Sequence, residues 1–457
     1  MRAFGSPGAT GHFGVCFSPI LTQIVVPGSI GNLPVRRIAA EPLRTIRQYL
    51  WPIPVAAFLS RFYQKGRQLH ARIPQGSRVD SDVEAAPCSL RQGQKLAILD
   101  GLRGLMALWV LLGHTCILTV FPIWRLDTPA YAVDGFMILS GFLMTYHYIL
   151  RSQREPWGAV STWKAFWTRR FFRVTPLYYL LLIPAYFLMP RYVQWRSEID
   201  EINRVNLRFA GAPTLDWMHL LLHVTYLFGL SSQYCTSLVI PDWSLSLEMQ
   251  FYLVFPFLML VAARFGWIGF AALCAGIWEV AHRTGLGHDF SQPSPLFMSI
   301  LWFAIGMLWA SHFFEPRNRK WFALGGCAMS LLSNDRVSVE LVCLFAAIIF
   351  LDNSVTRPIR QLLSGRVSKF LADASFSVYL VHLFILTPTV YYLAKHTAWP
   401  RGVKFAVAAS LTALCSYSLA KPFEIIEQFG HKFGKKLATQ HLMGRLTVAS
   451  EPSVIDR

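Results

Sequence analysis

Residues 99–115 read LDGLRGLMALWVLLGHT, an apolar run that would pass for a plain membrane helix but for Asp100, Arg103 and His114. In hydrocarbon each ionisable group costs about 2–3 kcal/mol or more unless it faces protein or a wet cavity. On a helix, positions 100, 103, 107, 110 and 114 follow the i, i+3/i+4 rule and share one stripe. Arg103 and His114 therefore point the same way, about 16 Å apart along the axis. The stripe predicts a polar path inside a membrane helix.

Composition puts the rest of the chain in the same setting. Of its 457 residues, 54% are hydrophobic and 15% charged, and mean hydropathy is +0.39, far from the balance of a soluble domain. Apolar stretches recur from about residue 96 to 420 between Arg/Lys, Pro and Trp/Tyr, the pattern of an all-α, polytopic membrane bundle. The net charge of +18 fits cytoplasmic loops and membrane lipid headgroups rather than nucleic acid. Eight cysteines lie scattered with no CxxC pair. They read as free, small apolar residues, with no disulfide framework and no metal site. Residues 1–95 differ, with 12 Lys/Arg against 4 Asp/Glu and Pro, Gly and Ser throughout. Pro and Gly interrupt the short apolar piece at 17–34, which lacks a signal peptide's basic lead-in. This segment reads as a basic, weakly ordered cytosolic extension.

Candidate spans are 97–120, 129–150, 176–189, 218–230, 243–263, 267–281, 297–313, 321–333, 338–351, 375–394 and 403–420. Basic clusters at 151–173, 314–320, 352–374 and 432–436 should all face the cytoplasm. Ten crossings satisfy them if 218–230, which is short and holds His219 and His223, does not cross. It then belongs to an outer loop or re-entrant segment over about 190–242. Both ends of the bundle face the cytoplasm, and Glu248 and His114 lie towards the outer half.

Two further spans carry polar stripes. Ser244, Glu248 and Tyr252 stand at i, i+4 and i+8, and Ser375, Tyr379 and His382 at i, i+4 and i+7. A single intramembrane His or Glu is commonly just a satisfied interhelical hydrogen bond. Three stripes in one chain predict a shared polar cavity. Before the third span, FWTRRFFRVTPLYYL (166–180) sets Arg169, Arg170 and Arg173 among aromatics. The positive-inside rule alone accounts for positive charge there. An all-Arg cluster also suits bidentate hydrogen bonds to a phosphorylated ligand.

LDGLRG…GH (99–114), VDGFMILSGFL (133–143), RRFFRVTPLYY (169–179), WSLSLEMQFYLVFPF (243–257) and SVYLVHL (377–383) resemble, in order, the motifs of the acyltransferase-3 family. Its members are integral membrane O-acyltransferases that modify bacterial surface and secreted glycans, among other acceptors. The resemblance covers residues 96–420 and departs near the end, where SLAKPFEIIE has Ala420 in place of the usual Glu and Glu424 four positions on.

The resemblance implies a membrane acyltransferase domain over 96–420 and a bacterial-type inner membrane, and Lys432, Lys435 and Lys436 make 421–457 a basic cytosolic tail. It implies acetyl-CoA or another acyl-CoA as the donor, with no permanently bound cofactor, and a hydroxyl on a carbohydrate or lipid-linked glycan as the acceptor. Carried over by motif, His114, Arg103, Glu248 and His382 are the catalytic candidates, and Arg169, Arg170 and Arg173 the donor-binding ones. Asp100, Ser140, Ser244, Tyr252, Ser375 and Tyr379 would line the polar cavity. An imidazole suits removal of the acceptor's proton. Arg103 or backbone N–H groups would bind the oxyanion. Extended pantetheine would bridge much of the roughly 22 Å from the cytosolic side to His114. Two alternatives stay open. A proton-coupled transporter also places His, Glu and Arg along a path, although no internal repeat is found. A covalent route through Cys116 is the other, and that thiol sits about 200° round the helix from His114.

Overall fold

The computed structural model describes residues 85–152, 154–205, 216–313 and 318–448. The basic extension lies, up to residue 84, outside these. The described residues contain helices and no strand. In order they are α1 (Ala85–Thr119), α2 (Ala130–Arg151), α3 (Val160–Asn203), α4 (Trp217–Val224), α5 (Trp243–Arg283), α6 (Leu296–Ser311), α7 (Arg319–Ser330), α8 (Arg336–Phe350), α9 (Thr356–Leu363), α10 (Arg366–His396) and α11 (Arg401–Val448).

Six of these, α1 from Leu96, α2, α3, α5, α10 and α11, are long and apolar enough to cross a membrane, and α6 is a shorter apolar helix. Gly266, at φ 76° and ψ 171°, breaks α5 into two arms, a conformation that costs glycine little. Large apolar side chains point outward: Phe187 is 77% exposed, Ile268 79% and Leu414 68%. Water would not tolerate such a surface, whereas lipid favours it. The chain is a multi-pass membrane protein.

Small residues let helices approach closely, as bilayer packing requires. Where α2 crosses α6, a Cβ on Gly141 would run into the Phe303 carbonyl and one on Gly306 into the Ile138 carbonyl. Similar contacts gather the basic segments at one end. Gly101 abuts Leu363, Gly430 and Gly434 abut Phe172, and Arg319 donates to the Phe350 carbonyl at 3.4 Å. Arg169 joins Glu155 at the same end. The helix of α11 continues through the expected tail boundary at 420 to Val448.

The segment expected as an outer loop over 190–242 is built differently. Residues 190–203 remain in α3, which carries Pro176, Pro184 and Pro190. The chain then folds back along α3. Tyr186 Oη donates to the Asp216 carbonyl at 3.2 Å, and Tyr226 Oη donates to Thr175 Oγ1 at 3.1 Å. The eleven residues between those anchors on α3 correspond to a descent of about 16 Å. Tyr178 Oη donates to Asp242 Oδ2 at 3.1 Å, so α5 begins in mid-bundle.

Buried polar contacts hold this wedge. His219 Nε2 and Ser237 Oγ are 2.7 Å apart, and His223 Nδ1 meets the His219 carbonyl at 2.9 Å. His223 Nε2 lies 3.6 Å from Asp242 Oδ2, with both side chains fully buried. Ser294 Oγ donates to the Gly229 carbonyl at 2.8 Å. A side chain at Gly229 would strike Ser246.

Candidate active site

Residues from all three stripes line one chamber, without His114 and His382. A cavity of about 320 Å³ at the basic end is walled by α1, α2, α3, α5, α10 and α11. Asp100 and Arg103 come from α1, Ser140 from α2, Arg170 and Arg173 from α3, Ser244, Glu248 and Tyr252 from α5, and Ser375 and Tyr379 from α10. Ten of the thirteen expected site residues therefore share one chamber. His114, His382 and Arg169 lie outside it.

Arg103 braces the chamber. Its Nε donates to Ser375 Oγ at 3.2 Å and its Nη2 to the Ala372 carbonyl at 3.1 Å, with Asp100 at 3.7 Å. Arg170 lies with its guanidinium carbon 5.6 Å from the Tyr252 ring centre and 5.8 Å from that of Phe166. These cation–π contacts aim the fork while leaving its N–H groups open to an anion. Tyr252 donates to Glu248 Oε1, which also accepts from Ser140 Oγ at 3.4 Å. Glu248 therefore stands with Arg170 at the basic end and not in the outer half. The reason is the mid-bundle start of α5, which brings Glu248 within the first turns down to the level of the arginines.

Arg169 turns away from the chamber. Glu155 accepts both of its terminal nitrogens, Nη1 to Oε1 at 3.1 Å and Nη2 to Oε2 at 2.5 Å. The pair is largely buried, with side chains 14% and 10% exposed.

Phe136, Ser244 and Tyr379 line the chamber on the side of His382. Ser244 Oγ donates to Tyr379 Oη, which donates to the Pro241 carbonyl at 2.9 Å, and the Phe136 ring packs edge-on against Tyr379 at 6.0 Å. Beyond this partition His114 and His382 meet, with His114 Nδ1 3.0 Å from His382 Nε2. The ring centres of Tyr379 and His382 are 6.2 Å apart. Arg103 sits about 16 Å down the helix from His114. Arg103 lines the chamber and His114 lies outside it.

The spans 96–421 match the sequence profile of the family described as Acyltransferase domain, Acyl_transf_3. The chain belongs to the acyltransferase-3 family. It is 33% identical over 131 residues, 28% of this chain and 19% of the relative, to the peptidoglycan O-acetyltransferase OatA of Listeria monocytogenes serovar 1/2a. Against a Staphylococcus aureus (strain COL) protein named as an O-acetyltransferase it is 24% identical over 326 residues, 63% of this chain and 50% of the relative. A protein of strain N315 with the same description aligns identically. The chain thus spans half or less of the length of these curated relatives. No solved structure matches it.

The family's last motif is where this chain departs, and the fold shows what stands there. Ala420 is 5% exposed and packs with Leu111 and Val378. Glu424 is turned out towards Lys421, at 3.4 Å. Glu427, seven residues past Ala420, reaches the chamber and accepts from Ser377. Sequence reasoning missed it, together with His147 and Asp373 in the same wall. The signal was its spacing of two helical turns from 420, on the same face.

Proposed function

We propose that this chain is a membrane O-acyltransferase. It takes an acyl group, acetyl in the first instance, from acyl-CoA at its basic, cytosolic end. It delivers that group to a hydroxyl of an exported glycan near the opposite side. The observation that carries the reading is an arginine-walled chamber at the basic end with a histidine pair just beyond its inner wall, in a chain of this family. The names of the Listeria and Staphylococcus relatives support acetyl, and that of the Listeria relative supports a glycan acceptor.

Arg170 and Arg173 would hold the phosphates of CoA by charge-assisted, forked hydrogen bonds. The chamber lies at the small end of the usual range for ligand pockets, about 300–1,000 Å³, and suits the pantetheine arm with the nucleotide left outside. The thioester would pass the Tyr379 partition to reach His114. There the acceptor's O–H proton moves to the imidazole, its oxygen forms the ester C–O bond, and the C–S bond breaks. The proton then passes to the leaving thiolate, giving ester and free CoA thiol. Ten crossings, with α4 entering and leaving from the outer side, put donor and acceptor on opposite faces.

The test is acyl-CoA turnover by purified protein in lipid nanodiscs, read as thiol release with a soluble glycan fragment present. Wild-type protein should release thiol, and His114→Ala should release none while keeping its melting temperature. Wild-type turnover by folded His114→Ala would refute the reading.

A further inference from the structure

The histidine pair has a definite hydrogen-bond direction. His382 Nδ1 faces two backbone carbonyls, of Val378 at 3.1 Å and of Tyr379 at 2.8 Å. A carbonyl only accepts, so the proton of neutral His382 sits on Nδ1 and its Nε2 offers a lone pair. That lone pair points at His114 Nδ1, 3.0 Å away. The ring centres are 5.1 Å apart with planes 27° from parallel, an edge-to-edge contact lying close to both ring planes. One proton must lie between the two nitrogens, and His382 cannot supply it without becoming a buried cation.

We infer that His382 is a positioning residue that places the proton of His114 on Nδ1 and so leaves His114 Nε2 as the only basic nitrogen of the pair. This rests on the acyl-transfer reading above and deepens it, since the sequence motifs alone made both histidines equal candidates for the base. The backbone of α10 fixes the tautomer of His382, His382 fixes that of His114, and Nε2 of His114 is the atom that removes the acceptor's proton. A base held in the wrong tautomer loses up to about 10⁴-fold in kcat, because the lone pair then points away from the proton it must take.

Solid-state ¹⁵N spectra of histidine-labelled protein in liposomes read the tautomer directly, with the His114 signals assigned by difference against His114→Gln. Wild type should show a protonated Nδ1 and a bare Nε2 at His114. His382→Ala should give the other tautomer or a mixture, and should lower kcat by about 10²–10⁴-fold with little change in KM. His382→Gln, whose side-chain oxygen can accept the same bond, should restore the tautomer and keep kcat within about tenfold of wild type. A wild-type His114 protonated on Nε2 would overturn the inference. So would a His382→Gln enzyme with the correct tautomer but no more activity than His382→Ala, because His382 would then be carrying protons itself. A correct tautomer with no acyl transfer by wild type would instead sink the functional reading and leave the hydrogen-bond order standing.

Discussion

Arg169 and Glu155 form a forked pair that faces away from the arginine-walled chamber, although Arg169 adjoins Arg170 in sequence. One step along a helix turns a side chain by about 100°. Three arginines that read as one cluster therefore have two different surroundings, and the difference is measurable. Breaking a buried pair by removing one partner costs about 3–5 kcal/mol. Arg169→Ala should lower the melting temperature or the yield of inserted protein and leave the KM for acyl-CoA within about twofold in the molecules that fold. A rise in KM with unchanged stability would return Arg169 to the donor site.

Arg170→Ala and Arg173→Ala should do the opposite. A hydrogen bond to a charged group is worth about 1.5–3 kcal/mol, so each should raise the KM for acyl-CoA by roughly 10- to 150-fold. Phosphate contacts far from the reacting carbonyl supply binding that is equal in ground and transition states, so kcat should fall much less. Arg173→Lys should recover little, because an ammonium lacks the fork. Unchanged donor affinity in both alanine variants, by titration in nanodiscs, would leave these residues as topology signals alone.

Topology supplies another check, by cysteine labelling in a background without native cysteines. Single cysteines replacing Ser152 and Ser364, both at the basic end, should resist a membrane-impermeant thiol reagent in intact cells. One replacing Ser197, exposed near the far end of α3, should react. Labelling at 152 from outside would reverse the bundle and remove the cytosolic donor.

These expectations show which parts of the protein local sequence encodes. The stripes of Asp100–Arg103–His114, Ser244–Glu248–Tyr252 and Ser375–Tyr379–His382 were legible because helical period alone decides which residues share a face, and a bilayer makes polar residues conspicuous. The depth of α5 was not legible. It depends on Tyr178 and Tyr226 drawing the 217–242 wedge down beside α3, a set of long-range contacts with no local signature. Glu427 was hidden because the apolar run ends near 420 while the helix continues. The separation of the histidine pair from the chamber was equally invisible, since it depends on Ser244, Tyr379 and the Pro241 carbonyl meeting across two helices.

In the proposed reaction, acyl groups leave a cytosolic donor held by Arg170 and Arg173 and reach an exported glycan through His114. Mass spectrometry of envelope glycans tests it in one comparison, using cells that express wild type, Arg170→Ala/Arg173→Ala or His114→Ala at equal levels, beside cells without the gene. Glycans should carry an added acetyl group with wild type, few with the double arginine variant, and none with His114→Ala or without the gene. Acetylated glycans at wild-type levels in the His114→Ala cells, or glycans that do not differ with and without the gene, would contradict it.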